Sequence, residues 1–176
     1  CFPNYTYPFY RDGMYEKCQG ESRLYKRAAA LLIDGAKRLQ ALLPSVPEAK
    51  RDEAQRIAGI AEFMGRAVLT THHVKESYFR KYALLTDENA DLNGVLVELC
   101  EIFRAELENA RATLPLVDFD SRLGFEPSMD YMCHREAIEW KIGVQTQILE
   151  EEIPALRADG VVKNRDPKHF PRDMWT

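Results

Sequence analysis

"EAKRDEAQRIAGIAEFMGRAVLTTHHVKESYFRKYALL", residues 48–85, contains no proline, and its apolar or small positions recur at a helical interval. Ala54, Ile57, Ala61, Met64, Val68, Thr71, Tyr78, Tyr82 and Leu85 step by three and four residues, with Lys75 interrupting the series. Side chains so spaced share one face, so the stretch predicts a long helix with a seam for other helices. Gly59 and Gly65 are either tolerated costs in helix propensity or places where a second helix comes close.

The neighbouring segments are its packing partners. "GESRLYKRAAALLIDGAKRLQALLP", 20–44, predicts a helix over about 21–43 with Leu24, Ala28, Leu31, Leu32, Leu39 and Leu42 on one stripe. In the joint "PSVPEAKRD" Ser45 is a candidate cap, and Pro47 is tolerated in a first turn. "TDENADLNG" supplies Thr86 or Asp87 as the cap of a third helix over about 88–113, with Leu92, Val95, Leu99, Ile102, Phe103 and Ala110 buried. A fourth helix is expected over about 134–157, with Ile138, Ile142, Gln145, Leu149 and Leu156 inward and Pro154 bending or fraying its last turn.

No stretch alternates with a period of two long enough to make a sheet, and the short joints make consecutive helices antiparallel neighbours. The predicted fold is an all-α antiparallel bundle of about four helices over 21–158. An aromatic extended arm precedes it over 1–20, where Pro3 and Pro8 block regular helix, and an irregular tail follows over 159–176.

With 176 residues the chain suits one domain with a real core. Its net charge of −4 calls for neither nucleic acid nor an anionic membrane. No apolar run approaches the roughly 20 residues that span a bilayer. The start at Cys1, with no charged head and apolar stretch behind it, reads as a piece cut from a longer protein. Cys1, Cys18, Cys100 and Cys133 form no CxxC pair, so a zinc knuckle is not expected. Reduced thiols are the plainer reading and favour the cytoplasm, although a Cys1–Cys18 disulfide stays open.

Motif chemistry is sparse. A di-iron bundle needs Glu-x-x-His pairs, and none occurs; His73 and Glu76 stand in the reverse order, and no metal or cofactor is expected. His72 and His73 diverge by about 100° around a helix and cannot chelate one ion together, so one is expected to face the bundle and the other water. The connector "DFDSRLGFEPSMDY", 118–131, is the richest stretch. Structurally, Asp118 and Asp120 cap turns, Gly124 permits a special backbone shape, and Phe119, Leu123, Phe125, Met129 and Tyr131 plug the bundle end. Functionally, Arg122 grips an anionic group, Phe125 or Tyr131 stacks on a ring, and Asp120 or Glu126 accepts hydroxyl hydrogen bonds. Those five, Asp120, Arg122, Phe125, Glu126 and Tyr131, are the candidate substrate-lining residues, and no catalytic residue is assigned.

The segment "ENARATLPLVDFDSRLGFEPSMDYMCHREAIEWKI", 108–142, resembles a region near the C-terminus of large bacterial proteins similar to glycoside hydrolases of the α-glucuronidase type. The elements that carry the resemblance are the "ATLPLV" helix exit, "DSRLGFEPSMDY" and "EWKI". It implies a non-catalytic helical accessory domain, braced against an upstream catalytic module of the same polypeptide and lining a cleft for an acidic oligosaccharide. Whether the chain has enzymatic activity of its own is left open. The alternative is a free-standing helical interaction or small-ligand sensor bundle.

Overall fold

A computed structural model of the chain describes residues 14–87, 89–124 and 133–160. Its helices are α1 (Met14–Leu42), α2 (Glu48–Thr86), α3 (Leu92–Phe119), α4 (Arg135–Gln147) and α5 (Ile153–Asp159). Short 3₁₀ turns at Leu43–Ser45 and Ser121–Gly124 and a π turn at Ile148–Glu152 join them, and no strand occurs among the described residues. The fold is an all-α bundle, as the periodicity predicts.

Cross-helix pairs give the topology. Ser22 meets His72 while Gln40 meets Glu62, so α1 and α2 run in opposite directions. Arg80 meets Glu98 while Arg56 meets Asp120, so α2 and the chain of α3 do too. Lys141 meets Glu106 while Arg135 meets Asp118, which reverses α4 against α3. The helices pack mainly in chain order, with α1 against α2, α2 against α3, and α3 against α4 and α5. The bundle is therefore an open series, and α1 lies at its edge.

The buried face of α1 differs from the expected leucine stripe. Cys18, Ser22, Ala29 and Ala36 are buried, whereas Leu24 is 67% and Leu31 65% exposed. Small side chains let the backbones approach, and at Gly65 an added Cβ would lie 2.8 Å from Ile33 Cγ1 and 3.1 Å from the Ile33 nitrogen. The same correction applies to α2. Ile57 and Met64, on the expected seam, are 53% and 52% exposed, while Ala58 and Gly65 face inward. Steps of three and four identify a helix, but they do not say which of several apolar stripes meets a neighbour.

The element boundaries shift for local reasons. Cys18 packs with Tyr78 and Phe79, which draws residues 14–20 of the expected arm into α1; residues 1–13 and 161–176 lie outside the described set. Ser45 donates to the Leu42 carbonyl at 2.7 Å, and Pro47 stands at the N-cap of α2 instead. The Asp87 carboxylate accepts from the Asn89 amide at 2.9 Å, and α3 starts only at Leu92 with Asp91 as its N-cap. Helix α3 also continues through Pro115, past the exit expected near 113, because Leu114 and Val117 pack with Ile138 and offset the lost backbone bond. Pro154 falls in the first turn of α5, directly after the π turn, where the missing N–H is tolerated.

Two apolar clusters sit at opposite ends of the α3 packing surface. Leu84, Leu96, Leu99, Cys100 and Ile153 form one, and Ala110, Val117 and Ile138 form the other. Polar side chains and a cavity occupy the space between them.

Candidate functional site

On α3, Leu99, Phe103, Glu106, Ala110, Thr113 and Val117 follow one another at three- and four-residue steps. A carboxylate in that ladder is carried into the interior, and Glu106 is only 3% exposed. Removing a charge from water is costly unless hydrogen bonds replace the solvent. Here they do. Thr70 Oγ1 donates to Oε1 at 2.6 Å, His73 Nδ1 to Oε2 at 2.5 Å and Asn109 Nδ2 to Oε2 at 3.3 Å, and Lys141 Nζ also donates to Oε1. Burial pushes the Glu106 pKa up, but the donors from His73, Lys141 and Thr70 outweigh it and hold the group below the ordinary 4.5. Glu106 thus joins α2, α3 and α4 at one point, and with its lone pairs engaged it is not a free general base.

The hub forms part of the wall of a cavity of about 500 Å³ between α2, α3 and α4. Phe63, Ala67 and Val74 of α2, Phe103 and Ala110 of α3, and Ile138 and Val144 of α4 supply apolar wall, with Thr70, Glu106 and Lys141 on the polar side. Trp140 lines the cavity yet is 69% exposed, which places it at the mouth. Gln145 also lines it and is buried; its Oε1 atom is closed off from the cavity and has no hydrogen-bond partner among the described residues. Arg66, on the same wall, is bound to Glu62 through Nε at 2.9 Å and to Asn109 Oδ1 through a longer 3.5 Å contact.

Both histidines are buried, against the expectation that one would face water. The angle between them sends His73 to the α3 interface and His72 to the α1 interface. Ser22, His72 and Glu76 come together there in the manner of a serine hydrolase set, but the protons run the wrong way. Ser22 Oγ donates to Glu76 at 2.7 Å, so the His72 Nδ1 that lies 2.8 Å from Oγ and 3.1 Å from the Ser22 carbonyl must carry a hydrogen. That histidine nitrogen cannot accept the serine proton, and Ser22 is wholly buried. The cluster is an interhelical clasp. Burial lowers the His72 pKa below 6.5, against the opposing pull of Glu76.

Of the five connector residues, the structure describes Asp120 and Arg122; Phe125, Glu126 and Tyr131 lie outside the described residues. Asp120 is buried and accepts from Arg122 Nε at 2.8 Å and Nη2 at 2.7 Å, with Arg56 Nη1 3.4 Å away. The Arg122 hydrogen bonds hold the Asp120 carboxyl well below the usual carboxylate range, against the opposing effect of burial. The Arg122 side chain is itself 71% exposed. Gly124 makes a close approach, since a Cβ there would lie 2.5 Å from the Cys133 carbonyl oxygen, and its own carbonyl accepts from the Cys133 amide at 3.3 Å. The two described ends of the connector are thereby pinned together, with Arg135 bound to Asp118 beside them. Neither Asp120 nor Arg122 forms part of the described wall of the cavity.

Thr70, Glu106 and Lys141 belong to no motif that marks them in the sequence. The available signal was the carboxylate within the α3 apolar ladder, because such a residue demands buried donors from facing helices. Among the described residues no group of three His, Cys, Asp or Glu side chains is placed to hold a metal ion, and no helix is long and apolar enough to cross a membrane. No protein-family model, curated protein or solved structure matches the chain.

Proposed function

We propose that this chain is a small-molecule-binding helical bundle whose ligand enters between α2, α3 and α4. The observation that carries the reading is the cavity of about 500 Å³, apolar on most of its wall and bounded by a satisfied polar hub. That volume lies within the range of roughly 300–1,000 Å³ common to small-molecule sites. The hub keeps the three helices in register without itself being consumed by a ligand. Fluorescence titration with phenylnaphthylamine tests the reading. Saturable enhancement with the wild type, abolished in Ala137→Phe, which fills the wall from α4, is the expected result; a wild type that gives no saturable signal overturns it.

A second reading has its own observation, the leucines of α1 that no described helix covers. An accessory domain of a glycoside-hydrolase-like protein needs a surface for its catalytic module, and Leu24, Leu31, Leu39 and Leu42 provide an apolar one at the edge of the bundle. The resemblance over 108–142 supports the same reading. Hydrolase activity and stability of the parent protein with and without 1–176 test it, and equality of both overturns it. Binding of an acidic oligosaccharide to the chain, compared with Arg122→Ala, tests the connector; no binding by the wild type removes a self-contained sugar site.

A further inference from the structure

Resting on the second reading above, in which the leucines of α1 face another module, we propose what lies on that face: an amphipathic helix with acidic flanks, seated in a groove between α1 and α2. Lys75 of α2 meets Glu21 of α1 at 3.1 Å and lies 5.6 Å over the Tyr25 ring, so those flanks of the two helices are adjacent. From Glu21 and Tyr25 the same flank of α1 runs on through Ala28, Leu32, Gly35, Leu39 and Leu42. From Lys75 the matching flank of α2 runs through Thr71, Val68, Met64, Ala61 and Ile57. Both series step by four and three residues, the spacing that keeps side chains on one face of a helix. None of these positions is fully buried, and Leu42, Ile57 and Met64 are more than half exposed. Helix α3 is met from the other side of α2, through Thr70, His73 and Arg80.

Two antiparallel helices whose apolar flanks meet form a channel into which a third helix lays its own apolar stripe. Leu39, Leu42, Ile57 and Met64 supply the large side chains here, while Ala28, Gly35 and Ala61 keep the floor low. An added Cβ at Gly35 would meet nothing within 4 Å, so the glycine weakens α1 for no contact among the described residues, and a helix in the groove can come close there. Charge decides which helix fits. Along the outer edge of α1, beside Leu24 and Leu31, stand the exposed Arg23, Arg27, Lys37 and Arg38, with Asp34 the acid among them, bound to Arg38 at 2.8 Å. No described residue pairs with Arg23, Arg27 or Lys37. A second copy of the chain on this face would set that cationic edge against its twin, or against the α2 edge where Glu53 and Ile60 stand in line. A helix with carboxylates beside an apolar stripe matches groove and edge together.

Two synthetic helices of about 21 residues test this with the whole chain, each with leucine and alanine on a heptad seam, one with glutamate on both flanks and one with lysine in the same places. Binding is read by anisotropy of a label on the peptide, for the wild type and for Arg27→Glu and Met64→Gln. Both variants change exposed positions, and circular dichroism and the unfolding midpoint report that the bundle is retained. The expected result is saturable binding of the acidic peptide, about tenfold or more tighter than the basic one, with added salt weakening the preference. Arg27→Glu should remove that preference, and Met64→Gln should weaken the acidic peptide about tenfold without changing its salt dependence. Equal binding of the two peptides, preference for lysine, or binding of neither overturns the acidic helix. So does a dimer in sedimentation that Met64→Gln dissolves, which gives the groove to a second copy. Binding to phosphatidylserine vesicles, lost in Arg27→Glu and without any peptide binding, overturns it in favour of a lipid surface. The parent protein with and without 1–176 remains the separate test of an attached module.

Discussion

Helix α2 has two kinds of neighbour. Toward α1 it presents Ala58 and Gly65 and meets Ala29, Ala36 and Ile33, so the two backbones approach until no Cβ fits at Gly65. Toward α3 and α4 it presents Phe63, Thr70 and His73, and the larger side chains hold the helices apart around a cavity. Small residues on both sides of a contact give close packing. Large apolar residues around a polar hub give a spaced joint with room inside it, so the α1–α2 pair is a brace and the other side of α2 is where a ligand can act.

The largest expected effect breaks the spaced side. Glu106→Ala leaves the donors of His73, Thr70 and Lys141 without the carboxylate they share, and should cost about 3 kcal/mol or more in urea unfolding. Glu106→Gln, which keeps an acceptor of the same length, should lose clearly less. If the two variants unfold alike, the hub is not what holds these helices.

Acid should weaken both sides of α2, in order. His72 has its pKa lowered from 6.5, so below that value the unfolded chain binds more protons than the folded one and stability falls with pH. Glu106 is lowered from 4.5, so its contribution is complete above that value and is lost as pH falls through its folded pKa. Unfolding midpoints should therefore decline below about pH 6.5 and again below about pH 4.5. In His72→Gln the upper decline should vanish while the lower one stays.

Glycine substitutions sharpen the close side. Gly65→Ala forces α1 and α2 apart and should destabilise by about 1–2 kcal/mol, overpacking exceeding the gain in helix propensity. Gly59→Ala, in the same helix with nothing within 4 Å of the added carbon, should stabilise by up to about 1 kcal/mol. Opposite signs in thermal unfolding are the expected outcome, and equal signs would deny the close approach. The smallest effect belongs to the uncovered face of α1, where Leu31→Gln should change the stability of the isolated chain by less than about 0.5 kcal/mol.

How much of this was legible beforehand differs between elements. The inward positions of α4, Ile138 and Gln145 among them, and Leu99 and Ala110 of α3 were readable, because each helix has one dominant apolar stripe. In α1 the stripe of large leucines competes with a stripe of small residues, and hydrophobicity favours the wrong one. Of the functional candidates, Asp120 and Arg122 attracted notice as charged residues in a particular loop, yet they satisfy each other. Glu106 drew none, since a glutamate in a helix usually faces water.

By itself, the sequence determined that the chain forms long helices joined by short turns and reversing direction, because periodicity and proline placement are local properties of the backbone and its nearest side chains. Tertiary structure alone decided which stripe of each helix is buried, that Glu106 collects donors from separate helices, and that α2, α3 and α4 stand apart around a cavity. Those outcomes depend on the sizes and charges of residues far apart in the chain, which meet only when the helices pack.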